Sequence, residues 1–130
     1  MRNSVEAVLC RALQLIQSKE PKAYAAIVNR LEGLTIHFEF ENPIFLETCD
    51  GKIVQSHSGV GSDITVSGRR SIVLDVVYGR ITLTKAVHNG NIEVAGAIGK
   101  LTCALSAVEY FVAALLRIED AHELVKALEA

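Results

Sequence analysis

The chain has 130 residues, half of them hydrophobic, and its formal net charge is −2 at pH 7. This length suits a single domain with its own core, and the weak negative charge, with Arg69-Arg70 as the largest basic cluster, excludes a protein that follows a nucleic-acid backbone. Tryptophan is absent and the mean hydropathy is +0.30, so the apolar excess is aliphatic and predicts either a lined apolar cavity or a buried dimer face.

Two helices are predicted over residues 3–32. Asn3 is placed to cap the first helix, with Glu6 three residues later as in a capping box, and apolar residues follow at helical spacing. Pro21 suits the first turn of the second helix, and Gly33 suits its end. Both helices therefore precede the first strand.

The apolar residues then change from helical spacing to strict alternation. Apolar residues at even positions from Leu34 to Phe40 alternate with polar residues, which predicts a strand with one buried and one solvated face. Asp50-Gly51 indicates a hairpin turn between two further strands. The predicted strands cover residues 34–40, 44–49, 52–57, 63–67 and 91–95.

The segment between the last two strands gives conflicting signals. Ile72, Val73, Val76 and Val77 are β-branched, which favours a strand, whereas their i, i+4 spacing suits one face of a helix. The residues alone leave this choice open.

A long apolar helix is predicted over residues 101–118, with a last helix over 120–128. The long helix could span a bilayer by length, but Glu109 at its centre would be costly at mid-depth. We therefore expect a soluble helix that is buried over most of its circumference.

The three cysteines indicate the compartment. Cys10, Cys49 and Cys103 are widely spaced and form no C-x-x-C pair, which is typical of free thiols in a reducing, cytoplasmic environment. Glu6 and Arg11 interrupt the apolar stretch that a signal peptide would need, so no signal peptide is expected.

No metal or cofactor is expected. The four histidines have no partner at metal-ligand spacing and are predicted to be solvated; they are His37, His57, His88 and His122. The stretch Gly96-Ala97-Ile98-Gly99-Lys100 resembles a phosphate loop, but two residues separate its glycines where the motif requires four.

A small isomerase-like enzyme is one alternative. Asp75, Tyr78 and Glu109-Tyr110 are the acid and phenol groups near apolar surface, and an Asp with a Tyr in an apolar pocket can catalyse proton transfer. A cavity-free dimeric interaction module is the other alternative.

The stretch from Ser62 to Gly96 carries a resemblance to a known family. It contains S-D-I-T-V, an apolar run that ends at Gly79, a short alanine-containing segment that ends at Asn89-Gly90, and N-I-E-V-A-G. This order resembles the lipid-binding domain of the sterol carrier protein 2 family. In that family a helix occupies the β-branched segment, so the resemblance predicts a helix there.

The resemblance implies a fold and a function. The fold would be α+β, with a five-stranded, mainly antiparallel sheet covered on one side by helices and enclosing an apolar tunnel, in one domain over residues 1–130. The function would be non-enzymatic binding and carriage of a sterol, fatty acyl or isoprenoid lipid inside the cell. The two N-terminal helices also resemble those of accessory proteins of ubiquinone biosynthesis, which bind isoprenoid quinone intermediates.

The long helix is the best candidate for a ligand-binding wall, because its apolar stripe is wider than packing on one sheet face requires. Pure core packing is the competing interpretation of such a stripe. The expected partner is an apolar lipid, with transient membrane or enzyme contact, in a monomer or homodimer. The predicted wall residues are Val73, Val77, Ile81, Leu101, Leu105, Val108, Phe111, Val112 and Leu115.

Overall fold

Helices flank and interrupt a single sheet in this computed structural model, which describes residues 4–56 and 61–129 apart from the side chain of Leu128. The helices are α1 (Val5–Lys19), α2 (Pro21–Leu31), α3 (Arg70–Val77), α4 (Leu83–His88), α5 (Ile98–Arg117) and α6 (Ala121–Glu129). The strands are β1 (Thr35–Glu39), β2 (Ile44–Cys49), β3 (Lys52–Ser56), β4 (Ile64–Gly68) and β5 (Ile92–Gly96). Asn3, His57 and most of the predicted loop 58–62 lie outside the described residues.

The five strands form one mixed sheet in the order β3-β2-β1-β4-β5. β1 pairs with β4 in parallel, and the other neighbours are antiparallel. The tight β2–β3 hairpin is possible because Asp50 and Gly51 both adopt positive φ, at 52° and 75°. The predicted α+β fold with a mainly antiparallel sheet is confirmed.

The two faces of the sheet differ as the alternation predicts. Ile36 and Ile64 are paired neighbours on the inner face, and both are buried. The helices pack on this face, where Ile16 and Ile27 complete the centre of the core. On the outer face His37 pairs with Phe45, and their rings stack at 4.4 Å.

His37 corrects one expectation. It was predicted to be solvated, but it is half-buried, and its Nε2 atom is shielded from solvent and has no hydrogen-bond partner among the described residues. Stacking on Phe45 is the cause. His88 and His122 are exposed as expected.

The start of α1 differs from the predicted capping box. Ser4 is the N-cap, and its hydroxyl accepts a hydrogen bond from the backbone N–H of Ala7. Glu6 does not return to the helix start. Its carboxylate instead accepts bonds from backbone N–H groups in the turn that follows β1. The polar residue at position 6 therefore joins α1 to the sheet.

The β-branched segment forms α3, as the family resemblance predicts. β4 leads into it, and β5 closes the sheet through Gly96, whose φ is +152°. A Cβ atom at position 96 would lie 2.7 Å from the carbonyl oxygen of Asp63. Glycine is required there because two strands approach closely with a backbone that other residues avoid.

α5 begins three residues earlier than predicted, at Ile98, and Ala97 precedes it without a side-chain cap. It is long and apolar enough to cross a membrane by length and composition alone. The expectation that it is buried over most of its circumference is wrong. Only Ala104, Ala107, Ala114 and Leu115 are fully buried within it, and the outer side carries exposed residues such as Ile98.

Candidate functional site

An apolar cavity of about 170 Å³, the inner cavity, lies between the inner face of the sheet and the helices. Every lining side chain is apolar except Thr48. The helices contribute Val5, Val8, Leu9, Ala12, Leu13, Ile27, Leu31, Val73, Val76, Val77, Leu83, Leu101, Ala104, Leu105, Ala107, Val108, Phe111, Val112, Leu115 and Val125. The sheet and the turn after β1 contribute Ile36, Phe38, Phe40, Leu46, Thr48, Ile53, Ile64, Val66, Ile92 and Val94.

The structure brings eight of the nine predicted wall residues to this cavity. They are Val73, Val77, Leu101, Leu105, Val108, Phe111, Val112 and Leu115. Several of them are half-buried because part of their surface faces the cavity rather than packed atoms. The width of the stripe on α5 thus has a geometric reason: part of it packs and part of it lines a space.

Ile81 is the predicted wall residue that does not line the cavity. Its backbone N–H donates to the carbonyl of Asp75 at 3.3 Å, in the turn that ends α3. The chain has therefore left the helix before this position. Leu83, two residues later in α4, takes the place at the cavity wall.

Sequence reasoning missed the wall formed by the sheet and by α1. The signal was present in the alternation of β1, because a space between a sheet and its helices must be lined from both sides. Ile36 and Phe38 occupy the inner positions of that alternation and line the cavity. On α1 the helical spacing of Val5 and Val8 likewise indicates an inward-facing stripe, and both residues line the cavity.

The groups that an isomerase-like enzyme would need lie outside the cavity. Asp75 Oδ1 accepts a bond from Arg80 Nε at 2.8 Å, and the Tyr78 hydroxyl donates to Glu129. Glu109 is exposed, and Tyr110 Oη accepts from Arg30 on the outer side of α5. The lining as described offers a ligand no acid, base or charged group.

One ion pair holds the end of the cavity near Leu101. Asp63 accepts a bond from the backbone N–H of Thr35 at 2.9 Å and from Lys100 Nζ at 2.6 Å. The Lys100 bond, followed by the Thr35 bond, lowers the pKa of the Asp63 carboxyl below its ordinary value. The first turn of α5 is thereby tied to β1, and Leu101 is held at the cavity wall.

A second pocket, the outer pocket, adjoins the first and has about 150 Å³. It lies between α1 and the β2–β3 end of the sheet. Leu13, Leu46 and Ile53 belong to the walls of both pockets. The remaining lining residues are Cys10, Gln14, Gln17, Tyr24 and Gln55.

The described cysteine, histidine and acidic side chains do not cluster into a metal centre. Within residues 4–56 and 61–129, no group of three or more His, Cys, Asp or Glu side chains could hold a metal ion. Cys10, Cys49 and Cys103 are free thiols. Burial raises the pKa of the Cys10 thiol, and the nearby Glu6 raises it further, so Cys10 is protonated and slow to react at neutral pH.

Comparison with known proteins places this geometry in context. Residues 12–104 match the SCP-2 sterol transfer family. A search of curated proteins gave no match.

Solved structures show a similar fold. One is titled UbiJ-SCP2 Ubiquinone synthesis protein, with a TM-score of 0.58, 18% identity, and coverage of 85% of this chain and 96% of that one. The sterol carrier protein domain 2 of Helicoverpa armigera has a TM-score of 0.56 and 16% identity, with coverage of 92% of this chain and 98% of that one. Sterol Carrier Protein 2 Like 2 of Aedes aegypti has a TM-score of 0.54 and 16% identity, with coverage of 78% of this chain and 94% of that one.

Proposed function

The chain belongs to the SCP-2 sterol transfer family, and from this we propose that it binds the hydrocarbon part of a lipid in its inner cavity and carries that lipid without changing it chemically. The ligand is a sterol, a fatty acyl chain or an isoprenoid. The eight predicted wall residues at the cavity contact it, together with the sheet wall around Ile36 and Phe38.

The observation that carries this proposal is the chemistry of the cavity wall. A space lined by aliphatic and Phe side chains, with Thr48 alone polar, excludes charged and strongly polar ligands. Such groups would lose their hydration without gaining a partner. A hydrocarbon chain has no hydrogen bonds to water to give up, and the removal of its surface from water favours binding.

The volume of the cavity limits the length of hydrocarbon chain that it can hold without rearrangement. An apolar cavity of about 150 Å³ accommodates a benzene-sized group, and this one has about 170 Å³. A short chain therefore fits without rearrangement, whereas a long chain requires side chains or helices to move apart. Carriage of a long lipid thus involves an opening of the helical layer over the sheet.

Saturable binding of a solvatochromic fatty-acid probe tests the proposal. We expect about one site per chain, because the inner cavity is one continuous apolar space, and we expect organic extraction of freshly purified protein to yield lipid by mass spectrometry. No saturable signal and no extractable lipid would remove the carrier function and favour the dimeric interaction module.

A second function is an accessory one: presentation of isoprenoid quinone intermediates to biosynthetic enzymes. The observation that favours it is the likeness in fold to the structure titled UbiJ-SCP2 Ubiquinone synthesis protein. Co-purification of prenylated phenols or quinones, rather than acyl lipids, would distinguish this role from general lipid carriage.

We further propose a cytoplasmic location and no catalytic step. Three free thiols suit a reducing compartment. The apolar wall supplies no group that could transfer a proton. Delivery involves transient contact with a membrane or an enzyme, and the protein acts as a monomer or homodimer.

A further inference from the structure

The outer pocket differs from the inner cavity in its chemistry. Gln14 and Gln17 lie on the face of α1 that also carries Cys10, at spacings of four and seven residues, and Gln55 faces them from β3. All three glutamines are exposed, and their side-chain amides have no hydrogen-bond partner among the described residues. They are left to bond with water or with a ligand.

Tyr24 adds a fourth polar group. Its hydroxyl oxygen accepts a hydrogen bond from the backbone N–H of Ile53 at 3.0 Å. A phenol that accepts one bond still has its own proton to donate. The outer pocket therefore presents donors and acceptors, and no charged side chain contributes to its lining.

The outer pocket and the inner cavity are adjacent and share part of their walls. Leu13, Leu46 and Ile53 form the wall between the two, because each side chain lines both. A ligand that passes between these side chains would have one end in a wholly apolar space. Its other end would lie among neutral hydrogen-bonding groups.

We propose that the outer pocket binds the uncharged, oxygen-bearing headgroup of the lipid whose chain occupies the inner cavity, with Gln14, Gln17 and Gln55 as its hydrogen-bonding partners. This inference rests on the proposed lipid-binding function. It adds that the protein distinguishes lipids by their headgroup as well as by their chain.

The size and charge of the outer pocket narrow the headgroup further. Its volume of about 150 Å³ corresponds to one six-membered ring. A carboxylate would lose part of its hydration without meeting a cation, which is unfavourable. A phenol or a related neutral ring oxygen gains bonds that replace those it had to water.

Three ligands of equal chain length test this: 4-octylphenol, octylbenzene and 4-octylbenzoate, each competing with the fluorescent probe on the full chain at neutral pH. We expect 4-octylphenol to bind several-fold to tenfold more tightly than the other two, the change that one or two net hydrogen bonds give. Equal binding of the phenol and octylbenzene, or tighter binding of the benzoate, would overturn the headgroup site.

Variants locate the preference. The double variant Gln14→Met and Gln55→Met keeps side-chain length and removes the hydrogen-bonding groups. We expect it to lose the preference, so that the phenol binds no more tightly than octylbenzene. Asn29→Leu removes an exposed amide of α2 that lines neither pocket, and it should leave the preference intact. A preference retained in the double variant would refute the assignment.

Cys10 gives an independent readout, because its thiol lines the outer pocket whereas Cys49 and Cys103 are exposed elsewhere. Saturating 4-octylphenol should slow maleimide labelling of Cys10 at mildly alkaline pH and leave the other two rates unchanged. An unchanged Cys10 rate with bound phenol would place the headgroup elsewhere. Failure of all three ligands to displace a bound probe would also overturn the headgroup site, whereas failure of the probe itself to bind would overturn the lipid-binding function.

Discussion

Single polar side chains hold the elements around the cavity in place. Glu6 is the clearest case, because it is only 3% exposed and its carboxylate accepts bonds from the backbone N–H groups of Phe40, Glu41 and Asn42. The N–H of Val5 in turn donates to Glu41 Oε1 at 2.8 Å. The first turn of α1 and the turn after β1 therefore form one hydrogen-bonded unit at the edge of the apolar wall.

Replacing Glu6 should separate this unit. Glu6→Gln retains one acceptor oxygen but turns an amide N–H₂ group toward backbone donors, so buried N–H groups lose their partner. We expect the free energy of unfolding to fall by about 3 kcal/mol, measured by urea denaturation. Glu123→Gln, an exposed carboxylate of α6, is the matched control and should change stability little; an equal effect of both would contradict the role of Glu6.

The Asp63 carboxylate predicts a dependence of stability on pH. Its pKa is lowered in the folded protein by the bonds from Lys100 and Thr35, so the stability it adds is fully present above the ordinary Asp pKa. That stability is lost as the pH falls below that value through the lowered pKa. Asp63→Asn should therefore be less stable than the wild type at neutral pH.

The pH series supplies the decisive comparison for Asp63. The stability difference between the wild type and Asp63→Asn should shrink as the pH is lowered through the acidic range, measured by denaturation at each pH. A difference that stays constant with pH would show that the carboxylate charge contributes nothing.

At the scale of whole elements, α5 serves both packing and the cavity. Ala114 is fully buried and does not line the cavity, whereas Val112 is half-buried and faces it. A helix that only packed a dry core would bury both side chains. The division of its apolar face into packed and cavity-lining positions is what makes a mutation on it diagnostic.

Val112→Asp should leave the protein folded and abolish lipid binding. Water can enter the emptied cavity and solvate the carboxylate in part, whereas a charge among packed atoms has no such compensation. Ile16→Asp is the control, since Ile16 is fully buried and does not line the cavity; we expect it to unfold the protein. Circular dichroism melting and probe binding check both variants, and a folded Val112→Asp that binds lipid normally would remove this face from the site.

The sequence predicts the helices and strands better than it predicts which residues line the two pockets. The period change after Gly33 and the turn at Asp50-Gly51 place β1, β2 and the hairpin correctly, because those signals depend on neighbouring residues. The segment of α3 needed the family resemblance, since the β-branched residues in it suit either structure. The outer pocket depends on Gln55 of β3 and Gln14 of α1 lining the same space, an arrangement that only the folded chain creates.

At the scale of the whole molecule, the cavity depends on both ends of the described chain. The family match covers residues 12–104, but Val5 and Val8 before it, and the α5 residues from Leu105 onward, line the same cavity. Val5 and Val8 also form a small apolar cluster with Leu124 of α6. The part of the wall outside the family match is thus supplied by α1, the end of α5 and α6 together.

Ligand binding should stabilise the elements around the cavity as a whole. A ligand at a hundred times its dissociation constant adds about 2.7 kcal/mol to the native state, which raises Tm by several degrees for a domain of this size. We expect 4-octylphenol to produce this shift in a thermal melt. Zinc and ATP at low micromolar concentration serve as controls and should leave Tm unchanged; a shift with either would contradict the absence of a metal or nucleotide site.

The contact between α1 and α6 also bears on how the protein is made. During synthesis α1 leaves the ribosome well before residues 121–129 exist, so the apolar cluster around Val5 and Val8 has no partner from α6 for most of that time. The nascent helix is therefore exposed to chaperones and to other apolar chains until translation has passed Leu124. The cluster around Val5 and Val8 is therefore completed only after α6 has been synthesised and has packed against α1.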